Sequence, residues 1–218
     1  MNVSRRARRI AAAVALLGIA GAAVGYGLMR AGLAGRGPPA LPPGQSLEVA
    51  QLEPLARVPE FTLSGSAGPF TRADLRGRWA FVFFGYTNCP DACPATLGIL
   101  DHVQERLRAQ GVEPPRIVFV SLDPQRDTPA VLGRYAAAFG ADTVGLTGEP
   151  DAMSDLLTFF GVRFERRSGA DAASYTLDHT TQFFLLRPDG RWLATFAPAD
   201  DGDAVLADTL TLMRLTPD

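Results

Sequence analysis

The strongest constraint on the fold is a six-residue segment, Trp79 to Phe84, in which every residue is apolar. A strand of this kind is buried on both faces, as happens when helices cover both sides of a partly parallel sheet. A short polar loop follows it, and from Pro94 to Arg108 leucine and valine recur at helical spacing. The sequence therefore predicts a central strand that leads through a loop into an amphipathic helix.

The segments that follow continue this alternation of strands and helices. Arg116 to Leu122 is predicted to be a second buried strand, and Thr128-Pro129 has the N-cap and first-turn residues that begin a helix. This order predicts an α/β thioredoxin-like fold, in which helices flank a mixed central sheet. The other predicted elements are a hairpin over 61–71, a helix over 149–160, a strand pair over 161–177, strands over 181–186 and 191–196, and a helix over 204–215.

An apolar run over residues 10–29 follows an arginine-rich tip, residues 1–9, and with Arg30 it makes up a candidate anchor over residues 10–30. Twenty residues of helix span about 30 Å, the thickness of the hydrocarbon core of a bilayer, and arginines before the run favour a cytoplasmic N-terminus. We predict a single transmembrane helix in a bacterial-type inner membrane, with the rest of the chain in the periplasm. A cleaved signal peptide is the alternative, and it would export the domain as well.

The rest of the chain divides into a linker and an acidic domain. Residues 31–57 are rich in proline and are predicted to form an extended linker, and residues 58–218 are predicted to form the folded domain. The first 36 residues hold six of the 21 basic residues and no acidic one, so the remainder is strongly acidic. Such a domain lacks the basic surface that phosphate backbones require, which excludes nucleic acid as a partner.

The only two cysteines, Cys89 and Cys93, lie in the loop between the central strand and its helix. Amides at a helix N-terminus favour thiolate over thiol, and thiolate binds soft metals and exchanges disulfides. A structural disulfide is an alternative in an exported domain, although a bridge across so small a loop would stabilise the fold weakly. The spacing leaves open whether the pair is redox-active or binds a metal. Two thiolates can hold Cu(I), and a third ligand would secure it.

Two histidines could supply this third ligand. His102 lies nine residues into the predicted helix, about 13 Å along its axis, and is assigned to the surface. His179 precedes the strand predicted over 181–186, and in a thioredoxin-like sheet the loop entering that strand lies against the cysteine loop. A purely hydrogen-bonding role is the alternative for His179. Two sulfurs and one imidazole suit copper in either oxidation state, whereas zinc normally takes a fourth ligand.

Three segments, taken together and in this order, resemble the Sco/SenC family, the copper chaperones of cytochrome c oxidase assembly. The resemblance covers about residues 50–215. It implies a thioredoxin-like fold that binds one copper ion, Cu(I) or Cu(II), through Cys89, Cys93 and His179. The segments that carry it are Phe84 to Pro94, Val120 to Pro129 and Asp178 to Thr180.

The resemblance also implies a function: a metallochaperone, not an enzyme, that delivers copper to the binuclear copper site of cytochrome c oxidase subunit II or reduces the cysteines of that site. A second periplasmic copper chaperone or a thiol reductase would be a further partner. The alternatives are a thiol–disulfide oxidoreductase that uses Cys89 and Cys93 as a redox-active pair able to form a disulfide, and a redox or copper sensor. A thiol peroxidase is less favoured, because it would want threonine where this chain has Tyr86.

Three aspartates are candidates for supporting the ligands. Asp123 and Asp127 belong to an Asp-Pro-x-x-Asp-Thr-Pro segment and could orient the site or dock a partner. The alternative for both is turn and capping chemistry ahead of the next helix. Asp178 directly precedes His179. Ala92, which stands where relatives often have a bulkier residue, is expected to alter loop packing but not ligation.

Overall fold

The computed structural model describes residues 38–168, 174–197 and 201–215. The predicted cytoplasmic tip and transmembrane helix, residues 1–9 and 10–30, lie outside these ranges. Within the ranges, no helix combines the length and the apolar character that crossing a bilayer requires.

Three strands come first in the described chain, and strands and helices then alternate between residues 80 and 160. The strands are β1 (Ala50–Leu52), β2 (Thr62–Gly65), β3 (Gly68–Thr71), β4 (Ala80–Gly85), β5 (Arg116–Ser121), β6 (Thr143–Thr147), β7 (Phe164–Ser168), β8 (Tyr175–His179), β9 (Phe183–Leu186) and β10 (Trp192–Phe196). The helices are α1 (Ala92–Ala109), α2 (Pro129–Ala137), α3 (Pro150–Phe160) and α4 (Gly202–Leu215), and a short 3₁₀ helix covers Arg72–Leu75.

Eight of these strands form one mixed sheet in the order β1-β10-β9-β4-β5-β6-β2-β3. The central strands β4, β5 and β6 are parallel, and β9 runs antiparallel to β4. The parallel connections pass through α1 and α2, as a crossover between parallel strands requires. The sheet is therefore parallel at its centre and antiparallel towards both edges.

Helices cover both faces of the sheet, which explains why β4 is buried at every position. Successive side chains of a strand point to opposite faces. Phe84 contacts Phe160 of α3 on one face. On the other face Phe83 contacts Phe119, which in turn contacts Tyr135 of α2. The unbroken apolar run in the sequence thus reflects a strand whose side chains pack into the hydrophobic core on both faces of the sheet.

The hairpin formed by β7 and β8 pairs within itself and not with the main sheet. All five residues of β7 are exposed, whereas Leu177 of β8 is buried. The predicted strand pair over 161–177 is therefore present, but its return strand extends two residues further, to His179. This extension places the histidine at the end of a strand.

The described part of the predicted linker also contributes to the sheet. Ala50–Leu52 pairs with β10, and the Asp208 carboxylate of α4 accepts hydrogen bonds from the backbone amides of Glu48, Val49 and Ala50. Three residues are too few to show an alternating pattern in the sequence, so this strand emerges only from its pairing with β10.

Candidate metal centre

Three separate loops meet at one end of the central strands of the sheet. Because β4 and β5 are parallel, the loops that follow them leave the sheet on the same side. Strand β9 is antiparallel to β4, and Phe183 at its start pairs with Phe83 near the end of β4. The loop that enters β9 therefore meets the loop that leaves β4. In this way His179 comes close to Cys93 across 86 positions of sequence.

The cysteine loop ends in the first turn of α1. The helix begins at Ala92, two residues earlier than predicted, with Asp91 at the N-cap position and no hydrogen bond to the Asp91 side chain. The Cys89 sulfur instead accepts a hydrogen bond from the backbone amide of Cys93 at 3.4 Å. A cysteine side chain thus satisfies one of the free amides at the helix N-terminus, and this contact orients Cys89 towards Cys93.

Three potential metal ligands lie together at this point. The sulfur atoms of Cys89 and Cys93 and a ring nitrogen of His179 all lie within 4.8 Å of one another. Three ligands spread around one ion with bonds of about 2.0–2.3 Å, as in zinc sites with these ligands, lie up to about 4 Å apart. Sub-ångström adjustments would therefore suffice for one ion to bind all three. The two thiols are not joined in a disulfide in this structure.

The imidazole of His179 is oriented by its own backbone neighbour and by aromatic rings. Its Nδ1 atom lies 2.7 Å from the carbonyl oxygen of Thr180, which can only accept, so Nδ1 carries the proton. Nε2 is then left with its lone pair and lies 3.4 Å from the Cys93 sulfur. The ring packs edge-on against Tyr86. A backbone carbonyl that accepts from the nitrogen facing away from the metal, as Thr180 does here from Nδ1, is typical of metal-binding histidines.

The position of Cys93 at the start of a helix predicts a thiolate, but burial favours the protonated thiol. Its side chain is fully buried, and this desolvation raises the pKa of the thiol well above its ordinary value. The helix N-terminus does not outweigh the burial while no metal is bound. The Cys93 thiol therefore keeps its proton and donates it towards Nε2 of His179.

Asp127 holds the cysteine loop in place without reaching the ligands. Its fully buried carboxylate accepts hydrogen bonds from the backbone amide of Thr87, at 2.9 Å, and from the Thr87 hydroxyl. The Ser121 hydroxyl at the end of β5 donates to the same carboxylate. Asp127 thus fastens the segment just before Cys89 to the neighbouring strand.

The other two candidate aspartates lie in different surroundings. Asp123 is buried, and Tyr175 and Arg126 donate hydrogen bonds to its carboxylate. Asp178 is exposed and pairs with Arg167 across the hairpin, at 2.7 Å. Neither belongs to the group of three ligands. His102 lies on the surface of α1, 4.0 Å from Asp203 of α4.

Sequence reasoning missed the contribution of Gly85, the last residue of β4. A Cβ atom at this position would lie 2.6 Å from the Cys93 sulfur and 2.9 Å from the Phe119 ring. Only glycine leaves room for the buried thiol to pack against the strand. The signal was present in the sequence, as a glycine at the end of an otherwise bulky strand.

An open groove of about 450 Å³ gives access to the site from solvent. Cys89 and His179 are half-buried and line this groove, while Cys93 lies beneath them. The groove is completed by Tyr86, Pro90, Ala92 and Leu177, among others. An incoming group can therefore approach the ligand set from the side of Cys89 and His179.

Comparisons with known proteins agree with this arrangement. The model of the family described as SCO1/SenC matches residues 49–214. The protein SCO2 homolog, mitochondrial, of Bos taurus is 33% identical over 135 residues, which cover 62% of this chain and 51% of that protein. Copper-bound ScoI of Arabidopsis thaliana is 27% identical, with a TM-score of 0.69, over 74% of this chain and 100% of that one. Copper-bound ScoI of Bradyrhizobium japonicum is 32% identical, with a TM-score of 0.63 and the same coverage.

These likenesses confirm the predicted thioredoxin-like arrangement of a mixed sheet flanked by helices. The chain spans about half the length of the curated relatives it matches.

Proposed function

The chain belongs to the SCO1/SenC family, and from this premise we propose that it is a copper metallochaperone. One copper ion binds to Cys89, Cys93 and His179. The observation that carries the proposal is the convergence of these two sulfurs and one imidazole nitrogen within 4.8 Å at the end of an open groove.

The chemistry of the ligands favours copper. Thiolate sulfur selects soft ions such as Cu(I), and imidazole also suits Cu(II). A structural zinc site would take four protein ligands, and the cluster in the described part of the chain offers three. Three ligands leave a position on the metal for an incoming group, which a chaperone needs and a storage site does not.

Copper leaves the site by ligand exchange. A thiolate of the acceptor enters the groove, binds the ion, and displaces the half-buried Cys89 first because Cys89 is the more accessible sulfur. We propose the binuclear copper site of cytochrome c oxidase subunit II as the acceptor, and another periplasmic copper chaperone as a source of the ion. The predicted transmembrane helix over 10–30 would hold the domain in the periplasm beside a membrane-bound acceptor and raise its local concentration.

Thiol–disulfide exchange is the second candidate, favoured by one observation: Cys89 and Cys93 are free thiols with their sulfurs within 4.8 Å. In this reaction the Cys89 sulfur attacks an acceptor disulfide, and Cys93 then resolves the mixed disulfide. The acceptor gains two thiols, and the pair in this chain becomes a disulfide. This would prepare the cysteines of the same copper site.

Two mixing experiments separate these functions. Copper-loaded protein is added to the reduced, metal-free copper domain of subunit II, and transfer is followed by the absorption and electron paramagnetic resonance of the binuclear site. Metal-free protein is separately added to the oxidised domain, and the thiols formed there are counted. A chaperone fills the reduced domain. Failure of copper to move, together with stoichiometric thiol formation, would replace the first function by the second.

A further inference from the structure

The loop between β5 and α2, residues 122–128, contributes no ligand, yet it contacts both halves of the metal centre. We call it the bracket loop. On one side it binds the cysteine loop through Asp127, which accepts from the amide and the hydroxyl of Thr87. Thr87 precedes Cys89 by two residues, so this contact fixes where the cysteine loop leaves the sheet.

On its other side the bracket loop binds the strand that ends in His179. The Arg126 guanidinium donates to the backbone oxygen of Tyr175 at 3.1 Å and lies 3.6 Å from the centre of the Tyr175 ring. The Tyr175 hydroxyl donates to Asp123 at 2.7 Å, and Arg126 donates to the same carboxylate. Arg126, Asp123 and Tyr175 therefore form a closed triangle of contacts.

This triangle matters because of how the histidine is held. Strands β7 and β8 pair with each other and not with the main sheet, so the backbone hydrogen bonds of the sheet do not fix their position. Tyr175 begins β8 and His179 ends it. A contact that fastens Tyr175 to the bracket loop therefore limits the movement of the whole strand, and with it the distance from the imidazole to Cys93.

We propose that Arg126 is a positioning residue for His179. Arg126 fastens β8 to the bracket loop, and Asp127 fastens the cysteine loop to the same loop. The seven residues of the bracket loop, none of which is a ligand, thus set the spacing of all three ligands. This inference rests on one part of the proposed function, namely that His179 is a copper ligand.

The primary test is an Arg126→Gln substitution measured against both oxidation states of copper. Loss of groups that support a ligand typically weakens metal binding by about 10–100-fold. We expect Cu(II), which depends on the imidazole, to bind about 10-fold more weakly, and Cu(I), which two thiolates can hold, to change by less than about 3-fold. In a His179→Ala background, Arg126→Gln should cause no further loss of Cu(II) affinity. An equal loss for both ions, or a full additional loss in that background, would overturn the proposal.

Two further variants separate clamping from general stability. Arg166 lies on β7 and also stacks on the Tyr175 ring at 3.6 Å, but it belongs to the hairpin itself, so Arg166→Gln removes a cation without releasing β8. It should leave Cu(II) affinity unchanged. Tyr175→Phe removes only the hydroxyl that donates to Asp123, and it serves where Arg126→Gln does not fold. It should weaken Cu(II) in the same direction as Arg126→Gln. A loss for Arg166→Gln as large as for the clamp variants would contradict the proposal.

Hydrogen exchange of the metal-free protein decides the matter independently of copper. Release of the clamp should speed amide exchange across Tyr175–His179 by at least about 10-fold, since local opening exposes those amides, and leave α1 unchanged. Unchanged exchange in β8 would overturn the proposal even if copper binds as expected. The two ideas can also fail separately. If the wild-type chain binds no copper but amide exchange in β8 is still faster in Arg126→Gln, the proposed function is refuted and the clamp is retained.

Discussion

Cys93 carries a proton at the point where a metal would bind. Its sulfur lies 3.4 Å from Nε2 of His179, and Nδ1 of the same ring donates to the Thr180 carbonyl. In the neutral imidazole Nε2 then accepts, and the Cys93 thiol is the donor. Burial raises the pKa of this thiol above its ordinary value, so the proton remains bound at neutral pH. A metal ion must displace it.

The first prediction concerns pH. A proton bound throughout the neutral range is released on every binding event, so copper affinity should rise by about tenfold per pH unit for each proton displaced. Competition titrations between pH 6 and 8 measure this slope. His102→Ala should leave this slope unchanged. A pH-independent affinity for the wild-type chain would show that Cys93 is not a ligand.

At the scale of elements, the approach of α1 to β4 depends on Gly85. The Cys93 sulfur occupies the space next to its α-carbon, between the strand and the Phe119 ring. Helix α1 also contains Gly98, where an added Cβ would meet nothing within 4 Å. The two glycines therefore give a matched pair of sites, one crowded by the candidate ligand and one open.

The second prediction compares alanine at these two sites. Gly85→Ala should lower the free energy of unfolding by about 1–3 kcal/mol, because an extra methyl group in a packed site forces neighbours to move. It should also weaken copper binding by displacing the Cys93 sulfur. Gly98→Ala should stabilise the helix by about 0.5–1 kcal/mol and leave copper binding intact. Denaturant titrations and copper competition test both, and equal behaviour of the two variants would contradict the packing described for Cys93.

An element could be predicted when its own residues carry a clear pattern, and could not when its bounds depend on contacts with other parts of the chain. Strand β4 and helix α3 have strong local patterns, and both were predicted to within one or two residues. Helix α1 begins earlier than predicted because the Cys89 sulfur caps it, which is a contact and not a local propensity. Strand β6 was missed, since Gly145 interrupts a short segment whose register depends on β5.

The site was predictable in part for the same reason. His179 was predicted to lie against the cysteine loop, and it does, because strand order determines which loops meet. The separate roles of the aspartates were not readable from their shared motif. Asp127 faces Thr87, whereas Asp123 faces Arg126 and Tyr175, and only the packing of the hairpin distinguishes them.

At the scale of the whole molecule, the segment before the predicted domain boundary is part of the fold. The amides of Glu48, Val49 and Ala50 donate to the buried Asp208 carboxylate, and β1 covers the edge of β10. The metal centre lies elsewhere, at the end of the sheet formed by β4, β5 and the entry to β9. Stability and ligation should therefore respond differently to changes at the N-terminal side.

The third prediction uses two shortened chains. A chain that begins at Leu47 keeps the three donors to Asp208, whereas one that begins at Pro54 loses these donors together with the pairing of β1 and β10. A hydrogen bond to a charged group contributes about 1.5–3 kcal/mol. The free energy of unfolding of the shorter chain should therefore be lower by about 3 kcal/mol or more. Both should still bind one copper ion. Equal stability of the two chains would contradict the role given to β1 and Asp208.

The most direct test of the copper assignment is X-ray absorption of the chain beginning at Leu47, loaded with copper under reducing conditions. We predict one copper ion per chain, with two sulfur ligands and one nitrogen ligand. Cys89→Ser and Cys93→Ser should each abolish tight binding, because one thiolate with one imidazole is too weak a soft site, and His102→Ala should leave the spectrum unchanged. Full copper occupancy in either serine variant, or a copper environment without sulfur, would contradict the assignment.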